Sequence, residues 1–147
     1  MSGISTDLLT GLAVHIAAAG LGTWNASGDA YTPGQTGITL GTVPQTPDRC
    51  ITLTAYPVGD DPALSDSTLG VQVRCRWTGQ DPRPVDDLAD QLFGLLHGLT
   101  ALTLTTGVYI VQCLRRSGVG LGQDDNRRWE TAQNFYIDVH RPSTHRT

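Results

Sequence analysis

The side chains able to do chemistry in this sequence are scattered rather than gathered. His15, His97, His140 and His145 show no His-x-x-x-His spacing, and Cys50, Cys75 and Cys113 show no Cys-x-x-Cys spacing, so no metal site is drawn by pattern. Asp124-Asp125-Asn126 offers the oxygens of a Ca²⁺ loop, but Arg127 and Arg128 follow and no glutamate arrives at EF-hand spacing, which leaves a solvated turn. Gly118-Val119-Gly120-Leu121-Gly122 is the nearest approach to a phosphate loop. It lacks the Lys-Ser/Thr step and lies between two strand-like runs, so a flexible hairpin tip is expected there. Asp86, Asp87 and Asp90 could serve as acid–base carboxylates only inside a cleft, and helical spacing puts them on a solvated face. With no Gly-x-Ser-x-Gly motif either, the expectation is a non-enzyme with no catalytic, cofactor or metal residues.

The elements that would position these residues follow from hydrophobic period. Leu9, Leu12, Ala13, Ile16 and Ala17 repeat at helical spacing, predicting a first helix within residues 1–20, with Ser5 or Thr6 as N-cap and Gly20 as the stop. Residues 21–48 are rich in Gly, Thr and Pro and read as a long loop carrying one short strand at 38–40. Strands are predicted at 50–56 and 69–77. In the second, Val71, Val73, Cys75 and Trp77 share one face and Gln72, Arg74 and Arg76 the other. Residues 60–68 between them read as a long hairpin loop.

The second helix is predicted over 84–99, because Val85, Leu88, Leu92, Leu95, Leu96 and Leu99 form one stripe, with Asp86 and Asp87 at the positive end of its dipole. Phe93 falls at the flank of that stripe and is expected to stay incompletely buried within its own subunit. Strands follow at 101–105, 108–115 and 128–140, and 141–147 reads as a frayed tail. The predicted fold is α+β, a single domain over 1–147 with both helices on one face of a mostly antiparallel sheet.

Composition narrows the function. Of 147 residues, 39% are hydrophobic and only 16% charged, less than the usual quarter, so part of the surface is expected to meet partners. All ten cationic residues are Arg, which reads mainly as the codon bias of a GC-rich genome, though Arg also suits packed protein contacts better than Lys. A formal net charge of −4 argues against a dedicated nucleic-acid binder, whose footprint is basic. The odd number of cysteines, each in a strand-like run, predicts buried free thiols in a reducing compartment. The first residues lack both the basic n-region of a signal peptide and the uninterrupted apolar length of a membrane span.

Several runs, in order, resemble a known family. They are Gly37-Ile38-Thr39-Leu40-Gly41-Thr42-Val43-Pro44, Pro47-Asp48-Arg49-Cys50-Ile51-Thr52-Leu53 with Tyr56, and Gly70-Val71-Gln72-Val73-Arg74. Asp86-Asp87-Leu88-Ala89, Leu95-Leu96-His97-Gly98-Leu99 and Asn134-Phe135-Tyr136-Ile137-Asp138-Val139 continue them. This order is similar to that of the tail terminators of long-tailed bacteriophages, small proteins also described as minor capsid proteins. The resemblance implies two helices on an antiparallel sheet and assembly of the chain with itself into a homohexameric ring in the virion, at the neck. It further implies binding to the tail tube protein on one side and the head–tail connector or stopper protein on the other, with DNA passing through without sequence-specific binding, no membrane and no cofactor. A neck or head-completion protein, or a small ligand-binding or enzymatic α+β domain, are the alternatives. Residues 117–126 and 22–35 match nothing in the resemblance. Candidate subunit or partner contacts are Phe93 and the charged residues flanking the glycine run: Arg115, Arg116, Asp124, Asp125, Arg127 and Arg128.

Overall fold

The computed structural model describes residues 3–60 and 65–141. Helix α1 (Ile4–Ala18) buries Leu8, Leu9, Leu12, Ala13 and Ile16, and ends where Gly20 takes a φ of +80°. Its N-cap is Gly3, with no side-chain hydrogen bond, rather than the expected Ser5 or Thr6. Helix α2 (Arg83–Leu96) has Pro84 in its first turn, where a missing N–H costs nothing, and buries Val85, Leu88, Ala89, Leu92 and Leu96. It stops short of the predicted 99 because His97 is extended and Gly98 has a φ of +85°.

Among the described residues six strands make one sheet: β1 (Gly37–Leu40), β2 (Cys50–Asp60), β3 (Asp66–Trp77), β4 (Thr100–Thr103), β5 (Tyr109–Gln123) and β6 (Trp129–His140), in the order β1-β2-β3-β6-β5-β4. The expected fold class needs correction here. The described residues are mostly sheet, 44% strand against 21% helix, curled into a half-barrel, and the sheet is mixed because β1 pairs with β2 in parallel. The parallel pair arises because residues 41–49 carry the chain back across the sheet instead of turning it as a hairpin. The strand content exceeds the sequence reading mainly because β5 does not stop at Arg115. The glycine run stays extended and pairs with β6 as far as Gln123↔Trp129, with register shifts between Arg115/Ser117 and Gly120/Gly122. The frayed tail expected at 141–147 and the middle of the loop expected at 60–68 lie outside the described residues, apart from Arg141, whose N–H donates to Ser65 O at 2.6 Å.

The curl has a visible filler. Helix α1 packs on β1 and β2, yet its Gly11 also lies under the turn that follows β4 at the far edge of the sheet, where the Thr106 hydroxyl donates to Asp7 O. A Cβ added at Gly11 would stand 2.8 Å from the Cβ of Leu104, so glycine at this position permits the close approach. Odd-numbered side chains of β3 and β6, among them Val71, Val73, Phe135, Ile137 and Val139, meet both helices in one core. Burial pushes the thiols of Cys75 and Cys113 up to about 12, and raises that of Cys50. All three are buried and unbridged. A thiol reagent is therefore expected to modify the native protein far more slowly than a free thiol, and to titrate all three cysteines once denaturant is added. A thiol that reacted in the native state at the free rate would contradict its burial.

Candidate functional site

Even-numbered side chains of β3 and β6 point away from the helices, and the sequence suggests a solvated face there. The structure covers part of it. Residues 41–49, which include a cis Thr46–Pro47 bond, cross this outer face, and Arg76 beneath them is only 3% exposed. The Arg76 guanidinium donates from Nε to Asp48 O at 2.9 Å and from Nη2 to Pro47 O at 2.7 Å. Arg128 holds the same segment from the side. Its Nη1 donates to Gln45 O at 2.6 Å and approaches Asp48 Oδ1 at 3.2 Å, while Nε donates to Asp124 Oδ2 at 2.8 Å. Beside them Glu130, the one glutamate in the sequence, accepts two bonds from Arg74, each at 3.2 Å. The arrangement is a latch: two planar guanidinium groups supply the donors that a crossing segment without strand pairing needs for its carbonyls.

Asp124 also shapes the β5–β6 turn, since its Oδ1 accepts the backbone N–H groups of Asn126 at 2.9 Å and Arg128 at 2.8 Å. Burial pushes its carboxyl up, but the Arg128 backbone and guanidinium and the Asn126 N–H outweigh burial and hold it below its ordinary value. A carboxyl depressed on folding contributes stability above its unfolded pKa of about 3.9 and loses it as pH falls through the lower folded value. Melting temperature measured against pH is therefore expected to fall more steeply below about pH 4 in the wild type than in Asp124→Asn. Parallel curves would remove the Asp124 carboxylate from the latch.

The second feature is an open strand edge. On one side β5 pairs with β6 along its length, but on the other β4 reaches only to Thr100↔Gln112. Three further bonds extend the cover: Gly98 N–H to Cys113 O and Cys113 N–H to Leu99 O, both at 2.8 Å, and Arg115 N–H to His97 Nδ1 at 3.0 Å. No described strand pairs with this edge of β5 beyond Arg115. Val119 is 56% and Leu121 43% exposed there.

The candidate contact residues divide between these two features. Arg115 lies over the half-buried Phe93 ring, 4.1 Å from its centroid, and Phe93 stacks on His97 at 4.7 Å, so the three form a layered pad beside the open edge. Arg116 is exposed with its guanidinium 5.6 Å from the Tyr136 ring centroid. Asp125 is exposed in the turn. Arg127, at a φ of +59°, lines an open depression of about 670 Å³ with Thr78, Gln80, Gln123 and Trp129. Arg128 and Asp124, by contrast, spend their polar atoms inside the chain. Sequence reasoning missed Arg76 and the covering segment. The one local signal was Asp124 four residues before Arg128, the spacing of a turn closed by its own carboxylate.

Among the described residues no group of three or more His, Cys, Asp or Glu is placed to hold a metal ion. No described helix is long and apolar enough to cross a membrane. Asp86, Asp87 and Asp90 are exposed on α2, and His140 lies 3.3 Å from Asp66 at the opposite end of the sheet from the latch. The buried guanidinium groups of Arg76 and Arg128 bind one segment of chain to another. No curated protein matches this sequence significantly. Residues 15–141, however, match the family pattern described as bacteriophage tail terminator protein, and since that span covers most of the chain, including the latch, the glycine strand and α2, the protein belongs to the bacteriophage tail terminator family.

Proposed function

We propose that the protein assembles with itself into a homohexameric ring that caps the head-proximal end of a phage tail tube. The cap ends tube polymerisation and receives the head–tail connector, while DNA passes through without sequence-specific contact. The observation that carries this reading is the family match over residues 15–141, which makes the chain a phage tail component of structural type. Two properties support it. The net charge of −4 suits a ring wall that lets DNA slide rather than hold. The buried Arg76, Arg128 and Glu130 are spent on in-chain bonds, as suits a structural role without catalysis. The product is accordingly a virion component at the neck, made in the host cytoplasm.

Disabling the gene in its phage tests the proposal. Imaged lysates are expected to hold overlong tail tubes and separate filled heads, with normal particles restored by supplying the protein in trans. Native mass spectrometry of the complex on tube ends should give six copies. Tails of normal length that merely fail to join heads would overturn termination and favour a neck protein.

A further inference from the structure

The glycines of β5 hollow out one side of the sheet. In register with β6, Gly118 stands opposite Gln133 and Gly120 opposite Thr131, on the face that carries α2, where Gln133 Nε2 donates to Ala89 O at 2.9 Å. A Cβ at Gly118 would meet Gln133 only at 3.6 Å, and one at Gly120 would meet nothing within 4 Å. The missing side chains leave a trough of about 250 Å³ between α2 and the free edge of β5, with Asp86, Ala89 and Asp90 on one wall and Gly118, Val119 and Gly120 on the other. The Thr131 hydroxyl, 7% exposed as a residue, lies on its floor and has no partner among the described residues besides the Cys75 thiol.

The walls specify what would fill this trough. Between its two register shifts β5 keeps four regular residues, 117–120, whose outer edge no described strand pairs, so the backbone can take an added strand. Side chains of that strand on the α2 side would enter the trough over the glycines. There the carboxylates of Asp86 and Asp90, one turn apart and exposed, receive no hydrogen bond or ion pair from the described residues. The one cation in the lining, Arg115, is turned to Phe93 and donates from Nη1 to Gln133 Oε1 at 3.2 Å. The fitting occupant is an extended segment with a long cationic side chain and no acidic one. Of the stretches outside the described residues, 1–2 are Met-Ser and 61–64 are Asp-Pro-Ala-Leu. Residues 142–147, Pro-Ser-Thr-His-Arg-Thr, hold Arg146 and no acidic side chain, and no proline follows Pro142.

These residues do not reach the trough of their own chain. Arg141, whose N–H donates to Ser65 O at 2.6 Å, stands seven residues along from Asn134, the partner of Ser117. At strand rise that is about 23 Å, and six extended residues span only about 20 Å, with none left to pair. We propose that residues 143–147 of one copy lie as an added strand along residues 117–120 of a second copy, with Arg146 between α2 and β5 against Asp86 and Asp90. The contact joins two different surfaces, as neighbours in a closed ring do. It therefore deepens the ring reading and rests on its self-association alone, not on six copies or on capping.

Charge exchange on the full chain tests this. In analytical ultracentrifugation the wild type is expected to associate as its concentration rises. Asp90→Arg and Arg146→Asp should each weaken association about fivefold, because each sets like charges together at every contact. Carrying both changes on one chain should restore it, and that recovery separates lost complementarity from damaged folding. Hydrogen exchange should protect the amides of residues 117–120 in the associated wild type and leave them open in Arg146→Asp. A wild type that stays monomeric at every concentration overturns the proposal. So does a double variant no stronger than the single ones, or association without protection at 117–120. Association that persists undiminished through all three variants also overturns it, but leaves the ring standing with its contact elsewhere, and tail length judges capping separately.

Discussion

Leu92→Ala is expected to cost about 2–5 kcal/mol of folding stability, enough to unfold much of a protein whose total stability is of the usual 5–15 kcal/mol. Leu92 has no exposed surface and lies mid-stripe on α2, between Leu88 and Leu96, facing the sheet that holds Val73 and Phe135. Alanine removes the transfer free energy of three carbons and leaves a space that the surrounding side chains fill only partly. Asp90→Ala, two residues away on the exposed side of the same helix, is expected to move stability by less than about 0.5 kcal/mol. Urea unfolding of both variants checks the pair. Equal midpoints would mean that the helix is rotated from the orientation described.

That contrast rests on a pattern legible in the sequence alone. The α2 stripe and the alternation of β3 are periodic signals, and they mark the core-facing residues Leu88, Leu92, Val71 and Val73 from the sequence. The glycine run failed as a signal because alternation needs side chains. Gly118, Gly120 and Gly122 supply none, so a strand held by ladder bonds to β6 reads as a loop. The parallel pairing of β1 was hidden for a different reason: four residues, Gly37–Leu40, are too few to declare a direction, and only the path of residues 41–49 sets it.

Arg76 and Arg128 were equally visible and equally misleading, because polar residues on the even face of a strand ordinarily mean solvent. Here Arg76 lies under the segment and Arg128 beside it, both bonded to it, and their removal is the second large effect expected. Arg76→Met keeps an apolar stem of similar length but deletes the donors to Asp48 O and Pro47 O, and should cost about 1.5–3 kcal/mol, the range for hydrogen bonds to a charged group. Arg128→Met deletes the donors to Gln45 O and Asp124, and should cost a similar amount. The combined variant decides whether the two form one latch. Independent bonds would give additive losses, but either substitution alone should already loosen the same segment, so the double variant should fall short of the sum by about 0.5–3 kcal/mol. Limited proteolysis supplies the local readout, with cleavage within residues 41–49 expected to rise in each single variant and to rise little further in the double. Additive losses with unchanged cleavage would show that the crossing segment is held by its own conformation, and that the two arginines serve only the β3–β6 ladder beneath it.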